Sequence, residues 1–230
     1  MVYSKPLLPA LFAAVIGAGL AGGCAGGSAA PPAEDAPPVN ALAAMLGRPL
    51  VILPTQFLAF STGNGSWESS PDNGALLELL DKEIEATLRR RGVQARWTFA
   101  SEMVASARRN AGLIGDPHGL SAERYRRAKA GDTPLSEPLG SQIRTLVALR
   151  DARYALLPVE VRVEGKNGQG KGSVRLLLID TRTARIVWAE DVIGAPTVSF
   201  GYPRAALTTA LFPELARELA SRIADMVVTQ

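Results

Sequence analysis

The chain alternates between two hydrophobic periods, and most of its elements can be read from them. Leu50-Val51-Ile52-Leu53 is a continuous apolar run closed by Pro54, which predicts a strand buried on both faces. A polar loop follows from Ser61 to Asn73, with Trp67 in it and glycines at 63, 65 and 74. Leu77, Leu80, Ile84 and Leu88 then recur at helical spacing. This helix is expected to begin near Asp72, to carry Arg89-Arg90-Arg91 in its last turn and to stop at Gly92. Val93, Ala95, Trp97 and Phe99 alternate as a strand, and Ser101 is placed to cap a helix that runs to Asn110.

Glycines and prolines punctuate residues 113–136, leaving room for a short helix across Ala122–Ala130. A helix after Pro138 carries Leu139, Ile143, Leu146 and Val147 on one stripe. Val159, Val161 and Val163 alternate with Glu160, Arg162 and Glu164, a strand expected to have one wet face. Ser173–Asp180 is more uniformly apolar, and Ile186–Val192 pairs with it through the tight Thr181–Ala184 turn. Leu207, Leu211, Leu215, Leu219 and Ile223 mark a long final helix bent at Pro213. The order β-α-β-α-α-β-β-β-α predicts an α/β (α+β) fold: one mixed sheet of about five strands with helices packed on it.

The N-terminal 23 residues have a different character. Lys5 precedes an apolar run from Leu7 to Leu20, too short and too quickly broken by glycine to span a bilayer, as in a secretory signal. Leu20-Ala21-Gly22-Gly23-Cys24 resembles a bacterial lipoprotein signal with its lipobox, although Ala21 stands where leucine is usual. That resemblance implies a signal peptide over 1–23 and lipidation (a palmitate-bearing anchor) at Cys24, the only cysteine. Cleavage without lipidation is the alternative. With no aspartate at position 25, the family's sorting pattern implies the outer membrane, with the rest of the chain in the periplasm.

Residues 24–47 are read as the lipidated Cys and a flexible tether. Its Ala/Pro/Gly-rich part runs from Ala25 to about Asn40 and reaches at most ~50 Å. Residues 48–230 are then one globular domain. Removing residues 1–23 takes Lys5 and no acid, leaving 24 basic against 22 acidic side chains, a net charge of +2. So small a charge gives no support to nucleic-acid binding. The one basic concentration is Arg124, Arg126, Arg127 and Lys129.

Two phosphate-binding patterns fail on context. Gly17-Ala18-Gly19-Leu20-Ala21-Gly22 matches a dinucleotide fingerprint, but it lies inside the signal. Gly165-Lys166-Asn167-Gly168-Gln169-Gly170-Lys171 is nearly a P-loop. Gly172 stands where a Ser or Thr is needed, and a strand follows instead of a helix, so it reads as a hairpin loop. His118, the only histidine, follows Asp116-Pro117 in a turn, and no nucleophile elbow or metal-ligand spacing accompanies it. No catalytic residue, cofactor or metal site is assigned.

Three segments resemble the domains grouped around curli-export lipoproteins, penicillin-binding-protein activators and the TolB N-terminal domain. They are Arg48–Pro54, Asp151–Val159 and the Leu178–Trp188 hairpin. The resemblance implies a non-catalytic, outer-membrane-anchored periplasmic lipoprotein that serves as a binding or assembly module in the cell envelope. Its partners would be the membrane, through Cys24, and an envelope protein, with self-association open. The candidate contact residues are Trp67, His118, Arg124, Arg126 and Arg127, on the two longest insertions, Phe57–Gly74 and 113–136. Two alternatives stand beside this reading: an accessory lipoprotein of a transport complex, and an envelope hydrolase or glycan-processing enzyme using His118.

Overall fold

The computed structural model describes residues 40–62, 72–93, 96–129, 133–166, 169–198 and 207–228. Its strands are β1 (Leu50–Ile52), β2 (Phe57–Thr62), β3 (Trp97–Thr98), β4 (Thr133–Pro134), β5 (Tyr154–Lys166), β6 (Gln169–Asp180), β7 (Arg185–Ile193) and β8 (Thr197–Val198). The helices are α1 (Asn73–Arg90), α2 (Ala100–Arg109), α3 (Leu139–Ala148) and α4 (Leu207–Val228). All strands join one mixed sheet in the order β3-β1-β5-β6-β7-β4, with β2 also on β5 and β8 also on β6. The five expected strands and the expected helix order are present, and three further strands, β2, β4 and β8, join them.

The strand period sorts side chains onto two cores. Leu50, Ile52, Leu156, Leu176 and Leu178 point to a layer formed by α1 and α4, whose Leu80, Ile84, Leu215 and Leu219 are buried against them. Val51, Leu53, Leu157, Leu177 and Ile179 point the other way, to Met103 of α2 and to Ile143 and Val147 of α3. Strands β1, β5 and β6 are therefore covered on both faces, which is why Leu50–Leu53 carries no polar position.

Beyond Pro158 the arrangement changes. The β5–β6 register shifts between Pro158 and Glu160, so the alternation of β5 slips by one residue. Val161 and Val163 now face α1 and α4, and by strand alternation Glu160, Arg162 and Glu164 take the opposite side. The partner strand breaks in step. β1 and β2 both lie parallel to β5 and are separated by the Pro54–Gln56 interruption, because Pro54 has no N–H to donate.

Several expectations need correction. Phe57–Thr62, read as the start of a loop insertion, is strand β2. Of the strand read from Val93 to Phe99, Trp97–Thr98 pairs, with Leu50 and Val51 of β1, and residues 94–95 lie outside the described residues. Ser101 is not the cap of α2: Phe99 holds that position, and the Ser101 hydroxyl donates to Glu85 Oε2 at 2.6 Å. The Ala122–Ala130 helix is reduced to one 3-10 turn over Glu123–Tyr125. The folded unit also starts earlier than residue 48. Leu42 and Met45 are buried, and the Asn40 amide donates to the Met226 carbonyl of α4. Gly92 does end α1, at φ +80°, and Pro213 does lie within α4. Cys24 and the residues before Asn40 that were read as signal and tether lie outside the described residues.

Candidate functional site

The segment between α2 and α3 crosses the sheet face that the register shift exposes, and polar anchors hold it there. Glu160, only 4% exposed, lies beneath it. Arg126 Nε donates to Glu160 Oε1 at 2.8 Å, Arg126 Nη2 bonds the same oxygen, and Arg162 Nη2 donates to Oε2 at 2.8 Å. The Arg126 guanidinium also sits 5.2 Å from the centroid of the Phe57 ring. Arg175 pairs with Asp191 at 2.8 Å and donates to the Ala128 carbonyl. The strand face expected to be wet is therefore dry at Glu160: a guanidinium from each side neutralises the carboxylate and satisfies both its oxygens.

A second anchor forms at the strand interruption. Gln56 Nε2 donates to the carbonyls of Pro54 at 2.6 Å and Pro117 at 2.9 Å, and Gln56 Oε1 accepts from Leu120 N at 3.0 Å. This buried amide satisfies the Pro54 and Pro117 carbonyls and the Leu120 N–H, and so ties the strand interruption to the 117–120 loop. Asp81 of α1 supports the same point. Its two oxygens accept Thr55 N at 3.1 and 3.2 Å, and Oδ1 accepts Thr55 Oγ1 at 2.5 Å. Part of the Asp81 side chain reaches solvent, but protein packs densely around the carboxyl. Burial pushes the group up to about 6, against the downward pull of the Thr55 hydrogen bonds and of His118.

His118 lies in the same region, held locally. Its backbone N–H and Nδ1 both face Asp116 Oδ1, at 3.0 and 3.3 Å, closing an Asx-type turn. The described residues bring no three metal-ligating side chains together.

The basic concentration divides in two. Arg126 points inward to Glu160. Arg124 and Arg127 stay exposed beside a cleft that also includes Lys129, Tyr125 and Ser136. His118 does not line this cleft, and Trp67 lies outside the described residues. Sequence reasoning missed Asp81, Gln56 and Glu160. Asp81 did leave a signal, since it falls inside the stripe of Leu77, Leu80, Ile84 and Leu88, where a charge must find a buried partner. Gln56 and Glu160 left none, because each depends on a loop folded over it from far along the chain.

These features define an α/β domain with one mixed sheet between two helical layers. No family model matches the chain, and no characterised protein matches it by sequence. Among solved structures it is similar to the LpoB C-terminal domain from Salmonella enterica, with 15% identity over 70% of this chain and 96% of that one, and a TM-score of 0.30. It is also similar to Escherichia coli LpoB, with 14% identity, coverage of 85% and 91%, and a TM-score of 0.35. The lipoprotein GNA1162 from Neisseria meningitidis matches at 13% identity, with coverage of 71% and 92% and a TM-score of 0.37.

Proposed function

We propose that the protein is a non-catalytic lipoprotein, held at the outer membrane through Cys24, whose periplasmic domain binds an envelope partner. The observation that carries this reading is the order of segments in the sequence: an apolar run ending in Gly22-Gly23-Cys24, a Pro/Ala/Gly-rich stretch, and then a folded unit in which the Asn40 amide already bonds the Met226 carbonyl. The groups that would suggest chemistry have structural work instead. His118 closes its own turn on Asp116, and Asp81 holds the backbone and hydroxyl of Thr55. Among the described residues no helix is long and apolar enough to cross a membrane, so on this reading the lipid is the anchor.

The test is envelope fractionation of wild type and Cys24→Ala, with crosslinking in whole cells. Wild type is expected in outer-membrane fractions and in a crosslinked product larger than the monomer, and Cys24→Ala in the soluble periplasmic fraction. Unchanged membrane association of Cys24→Ala overturns the anchor. Recovery of monomer alone across crosslinkers overturns the binding role.

A further inference from the structure

Between α2 and the end of α3, two arginines converge on one neutral hydroxyl. Ser106 of α2 is only 5% exposed, and its Oγ accepts from Arg150 Nη2 at 2.6 Å and from Arg109 Nη2 at 3.2 Å. The two Nη2 atoms therefore lie no further apart than those two bonds laid end to end. Arg109 reaches Ser106 from the last turn of the same helix. Arg150, just past the end of α3, reaches across to α2, where its Nη2 also donates to the Glu102 carbonyl at 3.2 Å.

Among the described residues no carboxylate meets either guanidinium. Helix α3 carries no acid, and the one acid of α2, Glu102, gives its carboxylate to Arg89 at 3.0 Å. Asp151, next after Arg150, is exposed and pairs with neither arginine. Two guanidiniums also meet at Glu160, but there a carboxylate lies between Arg126 and Arg162. Exposed arginines that stand alone, Arg108 among them, keep their charge in water and call for no counterion. Water reaches the Ser106 pair less fully: Arg150 is half-buried, and its Nε is sealed off with no hydrogen-bond partner. The C-terminal dipoles of α2 and α3 offset roughly half a charge each, which orients the guanidiniums and still leaves positive charge in excess.

Two guanidinium forks held together by a shared hydroxyl are the donor arrangement of an oxyanion site. The number of donors decides which oxyanion. A carboxylate is already filled by one fork. A phosphomonoester presents three terminal oxygens and about −1.5 to −2 charges at neutral pH, enough to engage both forks and to offset both cations. We propose that Arg109 and Arg150, set in place by Ser106, bind a phosphomonoester, either a soluble one or one carried on a lipid headgroup. Ser106 is a positioning residue: its hydroxyl holds the guanidiniums together before the ligand arrives, which lowers the entropy lost on binding. The site needs neither the anchor nor the partner of the reading above.

The test is isothermal titration calorimetry of the full-length protein in detergent with glucose 6-phosphate, inorganic phosphate, and phosphatidic acid in mixed micelles. Wild type is expected to bind at least one of the three, with an affinity that falls as salt rises. Arg109→Gln changes an exposed side chain that the fold does not need, and it should weaken binding at least about tenfold. Arg150→Lys keeps the charge and loses the fork, and should weaken it severalfold. Ser106→Ala should also weaken it severalfold while leaving the salt dependence as in wild type, because both charges remain. Arg108→Gln removes the same charge from the neighbouring residue, which has no bond to Ser106, and should change binding by less than about twofold. Binding of glucose 6-phosphate or inorganic phosphate assigns the site to soluble ligands, and binding of phosphatidic acid alone assigns it to a headgroup; either supports the proposal. It is overturned if none of the three probes binds, if Arg109→Gln binds as wild type, or if acetate binds as tightly as phosphate. It is equally overturned if Arg108→Gln weakens binding as much as Arg109→Gln, since a diffuse basic surface then accounts for the effect.

Discussion

Asp81 holds Thr55 at the strand interruption with a carboxyl that titrates near 6, and this makes an unusual prediction: neutralising it should stabilise the fold at neutral pH. An ordinary aspartate titrates at 3.8, so the folded state keeps this proton about two units longer than the unfolded chain. Asp81 therefore favours folding fully below 3.8, and that contribution is lost as pH rises to about 6. At 1.36 kcal/mol per unit the loss is at most about 3 kcal/mol, and the solvent-accessible part of the side chain reduces it to about 1–3 kcal/mol. Asp81→Asn removes the titration and keeps an oxygen to accept from Thr55. Urea unfolding of both proteins from pH 4 to 7.5, followed by circular dichroism, isolates this one group, because other carboxylates cancel in the difference. The Asn variant should gain on wild type steadily between pH 4 and 6 and hold a constant advantage above. Asp81→Ala, which accepts from neither the backbone nor the hydroxyl of Thr55, should be less stable than Asp81→Asn at every pH. A wild-type-minus-Asn difference that does not change with pH refutes the reasoning.

Substitutions at three other sites probe ion pairing and packing. Glu160→Ala leaves Arg126 and Arg162 facing each other over an empty site and should cost about 3–5 kcal/mol in urea unfolding. Arg144→Ala, which breaks an exposed pair with Glu137, should cost under about 1 kcal/mol. At Gly172 an added Cβ would lie 3.1 Å from Leu219 Cδ1, so Gly172→Val should lower the urea midpoint by the equivalent of about 1–3 kcal/mol and Gly172→Ala by less.

Elements set by local pattern were legible in the sequence. The apolar run at Leu50–Leu53, the stripe from Leu77 to Leu88 and the 173–192 hairpin each carry their period within one segment. The Asp116-Pro117-His118 turn was equally local. What escaped was non-local. Strand β2 exists because Phe57–Thr62 lies beside residues 160–165 of β5, a pairing no short window contains. The burial of Glu160 depends on a one-residue register shift and on Arg126, thirty-four positions earlier. The basic cluster was visible as composition, but only the folded chain separates Arg126, turned inward, from the exposed Arg124, Arg127 and Lys129.

The register shift after Pro158 divides one sheet into two zones under different selection. On the near side, positions such as Ala155, Leu157, Leu177 and Ile179 are locked between helical layers, and changes there must conserve volume. On the far side, away from the Glu160 anchor, Ala59, Lys171 and Ser173 share a face that needs little more than strand propensity from its residues. A lineage could rewrite that face residue by residue, acquiring or shedding specificities, while the half that folds the domain stays unchanged.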